Sequence, residues 1–237
     1  MTDLAGKLLI AMPGMGDQRF AHAVVLICAH SDKGAMGLII NKPAPDLSFA
    51  GLLEQLNIPR GPQGRDIAVH FGGPVERGRG FVLHTPDYRA PASGRSGAGK
   101  PGAGKTGAGR SDSGQPDSGQ TGSGRPDPGP KFARRMAGDF SLGEATMQIS
   151  GGFGLTATQD ILGALAQGGG PKAALLALGY AGWGPGQLEA EVARNDWLIG
   201  AAPADLVFAD EASVKWSGAL RHMGVDPLGL SAATGRA

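Results

Sequence analysis

Short apolar runs separated by Gly, Pro, Asn and Asp divide most of this chain into strand-length segments, and only a few windows carry helical spacing. KLLIAMP (7–13) reads as a buried strand stopped by Pro13. AVVLICA (23–29) is continuous and β-branched, the pattern of a strand covered on both faces. GAMGLIINKP (34–43) makes a third strand, closed by Asn41 and Pro43. A short helix is expected over 49–56, capped by Asp46 or Ser48 and ended before Pro59. AVHFGGP and GFVLHTP (68–86) read as two more strands, with Gly72 and Gly73 in a hairpin-like turn between them.

In the second half, MQIS (147–150) begins a strand. Ile161, Leu162 and Leu165 follow at helical spacing behind Thr156 or Thr158, with Gly168 as the stop. AALLALGY (173–180) reads as a strand, GQLEAEVARN as a helix with Glu189 and Glu191 early and Arg194 late, and WLIGA as a strand. The last helix starts at Asp210, runs through Val214, Trp216 and Leu220, and ends near Gly224. Strands and helices mix without strict alternation, which argues an α+β fold rather than a doubly wound sheet.

Residues 92–130 interrupt this pattern, with no Val, Ile, Leu, Met or aromatic residue among them. From Ala92 the stretch repeats in fives, ASGRS, GAGKP, GAGKT, GAGRS and onward, each unit centred on Gly. Residues 99–106, GKPGAGKT, therefore match the phosphate-binding P-loop pattern through the period of the repeat. A working P-loop needs an apolar strand before it and a helix after it, and neither flank can supply one. With no apolar surface to offset lost chain entropy, 92–130 is expected to be a disordered, solvated insert of the Gly/Ser-rich kind.

Charge narrows the classes further. There are 22 Lys and Arg against 21 Asp and Glu, and the repeat holds five of the basic and three of the acidic residues, leaving 17 against 18 elsewhere. A near-neutral body lacks the basic face a direct nucleic-acid binder needs. One cysteine, Cys28, excludes an intrachain disulfide framework and a cysteine-only zinc site. The N-terminal apolar run is too short for a signal-peptide core, and no stretch approaches the length of a membrane span, so a cytoplasmic protein without membrane contact is expected. Residues 1–91 and 131–237 are expected to form one domain around the insert.

Three stretches taken together carry a resemblance: LLIAMPGMGDQRFAHAVVLICAHSDKGAMGLIINKP, then FGGPVERGRGFVLH, then GYAGWGPGQLEAEVARNDWL. They closely resemble the bacterial AlgH/YqgE family, on both flanks of the repeat. The resemblance implies a single α+β domain on a mixed, strongly curved, barrel-like sheet with helices packed outside. It also implies a label, transcriptional regulator of alginate production, without a settled biochemical activity. Two departures stand out: the repeat occupies the place of a short variable loop, and ATGRA ends the chain where many relatives end in Gly-His-Ala.

The motifs offer candidate chemistry. His22, Cys28 and His30 share strand parity and are expected on one face. If His30 and His84 end their strands on the same side, they line a shared cleft with Asp17 and Asn41, in reach of acid–base work. Gly72 and Gly73 could present N–H groups to an anion, and Gly182 and Trp183 precede a helix N-terminus. The candidate cleft is therefore Asp17, His30, Asn41, Gly72, Gly73, His84, Gly182 and Trp183. No cofactor or metal set emerges from the spacing. The sequence favours a regulatory or binding module whose partner is a small molecule or a protein. A transcriptional regulator and a hydrolase-like enzyme using the cleft histidines are the alternatives, with direct DNA binding disfavoured.

Overall fold

The computed structural model describes residues 3–89 and 146–230, so the pentad repeat and its P-loop-like octapeptide lie outside the described residues. The strands are β1 Leu8–Ala11, β2 Val24–Ser31, β3 Gly34–Ile39, β4 Ala68–Phe71, β5 Val75–His84, β6 Thr146–Ile149, β7 Phe153–Thr156, β8 Ala174–Trp183 and β9 Trp197–Gly200. The helices are α1 Phe49–Gln55, α2 Gln159–Ala166, α3 Gln187–Ala193, α4 Ala204–Val207 and α5 Ala212–His222. The strands form one sheet in the order β6-β7-β5-β8-β3-β2-β1-β9, with β4 joined to β8 off this path. The β4–β8 pair is parallel and every other strand pairing is antiparallel, so the sheet is mixed.

Alternation along the strands separates two apolar faces. Leu8, Ile10, Val24, Leu26, Phe81, Leu83 and Leu175 enter one cluster together with Val207 of α4 and Ala219 and Leu220 of α5. Ile149 and Phe153, from one edge of the sheet, join this same cluster with residues of β1 near the other edge. That sharing requires the sheet to curl towards this face as a half-barrel. On the convex face, Leu9, Val25 and Ile27 pack with Trp183, Trp197 and Leu188 of α3. Val82 and Leu176 pack there with Phe49 and Leu53 of α1 and Ile161 and Leu165 of α2. The chain thus folds as a single α+β domain with apolar clusters packed on both faces of the sheet.

Helix ends follow local chemistry. Ser48 caps α1 by accepting from Gly51 N at 3.0 Å. Thr158 occupies the N-cap of α2 but makes no capping bond, and its Oγ1 has no hydrogen-bond partner.

Three expectations change. First, β4 and β5 do not form a hairpin. Both pair with β8, β4 along one edge and β5 along the other. Gly72 and Gly73 carry the chain across β8 between them, close enough that a Cβ on Gly73 would fall on the Tyr180 carbonyl group. The double glycine is therefore a close-approach device. Second, β2 has an irregularity between Ile27 and Ala29 where it pairs with β3. Cys28 consequently stays with Leu26 in the concave cluster, while His30 pairs with Ala35 of the convex cluster, so strand parity fails between them. His22 precedes the strand with φ 52°. Third, β7 and α4 are elements the periodicity did not reveal. The β6–β7 hairpin turns on Gly151 and Gly152, both with positive φ. Among the described residues no helix is long and apolar enough to cross a membrane.

Candidate functional site

The eight residues singled out from sequence occupy separate neighbourhoods. Asn41 braces the start of β2, accepting from Val24 N and donating to His22 O, each at 2.8 Å. Asp17 binds the Arg19 guanidinium at 2.8 Å, and Lys42 donates to Arg19 O at 2.8 Å beside it. Burial lowers the Lys42 pKa and the Asp17 charge partly restores it. Asp17 and Asn41 therefore do share one end of the β2–β3 region, linked through Arg19 and Lys42.

His30 lies on the convex face, its Nδ1 accepting from Leu4 N at 3.3 Å and its Nε2 2.9 Å from Glu189 of α3. Trp183 is buried on that face and donates to Glu191 at 2.9 Å, while Gly182 pairs with Met36. His84 is fully buried elsewhere, Nδ1 2.7 Å from Thr85 O and Nε2 3.0 Å from Thr156 Oγ1, which in turn meets Thr146 Oγ1 at 2.7 Å. Burial lowers the His84 pKa against the pull of the Thr85 carbonyl and Asp87. Cys28 is a free, buried thiol pushed up to about 12 by burial, which removes it as a nucleophile near neutral pH.

A different set of residues converges on a cavity of about 190 Å³. It opens where the parallel pair β4 and β8 begins, opposite the corner between α4 and α5. Its walls include Arg65, Asp66, Ala68 and His70, then Lys172 and Leu175, and finally Phe208, Asp210 and Lys215. None of the eight sequence candidates lines it. Alternation along β4 places Val69 under the convex helices and His70 on the concave side.

His70 is 2% exposed, and its Nδ1 has no hydrogen-bond partner. Burial, reinforced by the Lys215 charge, lowers its pKa to about 4. The Ala68 carbonyl pulls the other way, although no hydrogen bond of normal geometry joins it to the ring. The imidazole is neutral at physiological pH. Lys215 is 1% exposed, on the face of α5 that also buries Ala212, Ala219 and Leu220. Its Nζ donates to Ile40 O at 3.0 Å and to Val207 O at 2.8 Å. Burial lowers its pKa to about 8, against the attraction of Asp210. At the rim, the Arg65 guanidinium donates to the Pro171 and Lys172 carbonyls, which holds its charge over the opening. Three cationic side chains thus surround the space with two carboxylates, Asp66 and Asp210.

Among the described residues no group of three or more His, Cys, Asp or Glu converges as a metal centre would require. What the cavity can do is hold a small polar molecule against a neutral imidazole and a buried amine.

The His70 shift has a testable sign. Its folded pKa lies below the unfolded value, so the unfolded chain binds more protons between pH 6.5 and about 4, and stability falls as pH drops through that window. His70→Leu removes this term. In urea titrations the native protein should lose about 3 kcal/mol more than the variant between those pH values. His84, present in both, contributes equally. Parallel losses in both proteins would remove His70 as the cause.

A curled, mixed α+β half-barrel with a polar cavity at its mouth defines the structural class. Sequence comparison places it more narrowly. The AlgH-like family model matches residues 8–102 and 131–228. A UPF0301 protein of Cereibacter sphaeroides is 55% identical over 235 residues, 99% of this chain and 100% of the relative. One from a Jannaschia species is 45% identical, covering 99% of this chain and 96% of the relative. The solution structure of AlgH from Pseudomonas aeruginosa superposes with a TM-score of 0.60 at 32% identity, over 98% of this chain and 93% of that one. The crystal structure of DIP2367 from Corynebacterium diphtheriae shares the fold, with a TM-score of 0.54 at 18% identity. The chain belongs to the AlgH-like family.

Proposed function

We propose that this protein is a cytoplasmic binding module that takes a small polar metabolite into the cavity between β4, β8 and the α4–α5 corner. The observation that carries the reading is His70. A buried ring nitrogen without a partner costs free energy unless something else provides one, and here it belongs to a residue on the wall of an open cavity. The volume suits a molecule of modest size, since an engineered cavity of roughly 150 Å³ admits benzene. The surplus of cationic over anionic side chains favours an anion. A regulatory role, implied by the family resemblance, then operates through ligand occupancy. Direct DNA reading has less support: the near-neutral charge outside the repeat argues against a basic face, and among the described residues α4, the one helix joined to another by a short corner, is a single turn. His30 and His84 have both ring nitrogens engaged within the fold, which weakens the hydrolase alternative.

Ala68 is exposed, lines the cavity and shares the His70 face, so Ala68→Phe should fill the mouth without disturbing the core. Melting is followed with acetate, lactate and phosphate in turn. At least one should raise the melting temperature of the native protein in a concentration-dependent way, by mass action, and leave Ala68→Phe unmoved. Equal shifts in both proteins, or none with any probe, would sink the proposal.

A further inference from the structure

We infer that Lys215 is a covalent capture residue, whose amine condenses with the carbonyl carbon of a small α-oxo acid admitted to the cavity. The inference rests on the binding reading above and goes on to name the ligand class. Its first support is the surroundings of Nζ. A buried ammonium ordinarily bonds a carboxylate, yet the Lys215 hydrogen bonds go to two main-chain carbonyls, Ile40 O and Val207 O. An ammonium has three N–H donors and these acceptors serve two of them. A neutral amine has two, so both stay bonded while the lone pair is left over. The site holds the nucleophilic form of the group more completely than the charged form.

The second support is what lines the cavity together with Lys215. His70 is a neutral imidazole with an unpartnered Nδ1 on the wall of this cavity, suited to hydrogen-bond the carbinolamine hydroxyl, while the ammonium loses its proton to water. Burial that lowers the lysine pKa works in the same direction, as it does for imine-forming lysines in general. Asp210, the carboxylate that opposes this shift, lines the same cavity, as do Arg65 and Lys172, which provide positive charge for the ligand carboxylate.

The step balances without another reactant. The amine nitrogen attacks the carbonyl carbon and the C=O π pair moves to oxygen, which is protonated to give a carbinolamine. Loss of water, taking that oxygen and a proton from nitrogen, leaves the C=N bond. One lysine amine and one carbonyl compound become one imine and one water.

The test treats the full-length protein with pyruvate and sodium cyanoborohydride, which reduces an imine to a stable secondary amine, and maps the modified peptides. The adduct is expected on Lys215 at least tenfold faster than on Lys172, with a rate that rises between pH 7 and pH 9. His70→Leu is expected to slow it tenfold or more. Labelling of Lys215 no faster than of Lys172 overturns the inference. Lactate, which has the carboxylate but no reactive carbonyl, separates the two readings. If lactate raises the melting temperature but pyruvate leaves no Lys215 adduct, the imine fails and the binding site stands. If acetate, lactate and phosphate all leave the melting temperature unchanged and no adduct forms, both fail.

Discussion

Glu191→Ala should destabilise the protein by about 3–5 kcal/mol, the scale of depriving two buried N–H donors of an acceptor and leaving a void. Glu191 is 5% exposed on α3, and its Oε2 accepts from Trp183 Nε1 at 2.9 Å and Trp197 Nε1 at 2.8 Å. Its Oε1 accepts from Gln187 Nε2 at 3.0 Å. The truncation strips both indole N–H groups of this acceptor and opens a void under α3. Glu191→Gln keeps the shape and can offer its amide oxygen to the two indoles. Its amide nitrogen would then face the Gln187 NH2, because the Gln187 oxygen already accepts from Gly184 N. The expected loss is about 1 kcal/mol. The check is the urea midpoint of each variant: similar losses for both would show that shape, rather than the carboxylate, holds the two tryptophans.

Gly73→Ala is the second severe case. A Cβ there would meet the carbonyl carbon and oxygen of Tyr180 and the nitrogen of Ala181, all well inside 3.0 Å and all main chain. Flexible side chains can turn away from an added methyl, but two crossing backbones have no such freedom. The cost should therefore exceed the ~1–3 kcal/mol typical of overpacking a core, and the variant should be unfolded or largely so at 25 °C by circular dichroism. Gly78→Ala, where nothing stands within 4 Å of the added carbon, is the matched control and should leave the melting curve nearly unchanged. A folded Gly73→Ala of native stability would mean that the segment after β4 does not cross β8 at Gly72 and Gly73 as described.

These two sites differ in how far the sequence disclosed them. The strands were legible because LLIA and VVLICA are continuous apolar runs, and the runs are continuous because the sheet is buried on both faces. α1 was legible through Ser48, and the end of α2 through Gly168, which takes φ 87°. The crossing at Gly72 and Gly73 was not, because a hairpin turn and a backbone crossing call for the same residues. β7 was hidden by its four residues and by the glycine pair before it.

The cavity was missed for a different reason. Pattern reading of α5 follows its largest apolar residues, Val214 and Trp216, yet Val214 is 41% exposed. The buried stripe is Ala212, Lys215, Ala219 and Leu220, at helical spacing with a lysine in its midst. That lysine, and a histidine at the inward position of a short strand, were the available signals. The sequence candidates were strand ends and turns instead. Among them, Asn41, His30 and His84 are engaged with the main chain of neighbouring segments, work that letters alone do not distinguish from readiness to bind.

One arrangement on β5, β6 and β7 bears on how this chain accommodates its repeat. Among the described residues β5 ends at His84 and the next strand, β6, begins at Thr146, and both side chains meet on the same hydroxyl of Thr156. These two strand ends are adjoining doorposts fixed by the sheet itself. The entropic cost of joining two such points grows only with the logarithm of the intervening length, by about 0.6 kcal/mol per doubling. Very different lengths of chain are therefore compatible with one and the same doorway, and new termini opened between the posts would leave every described strand pairing in place.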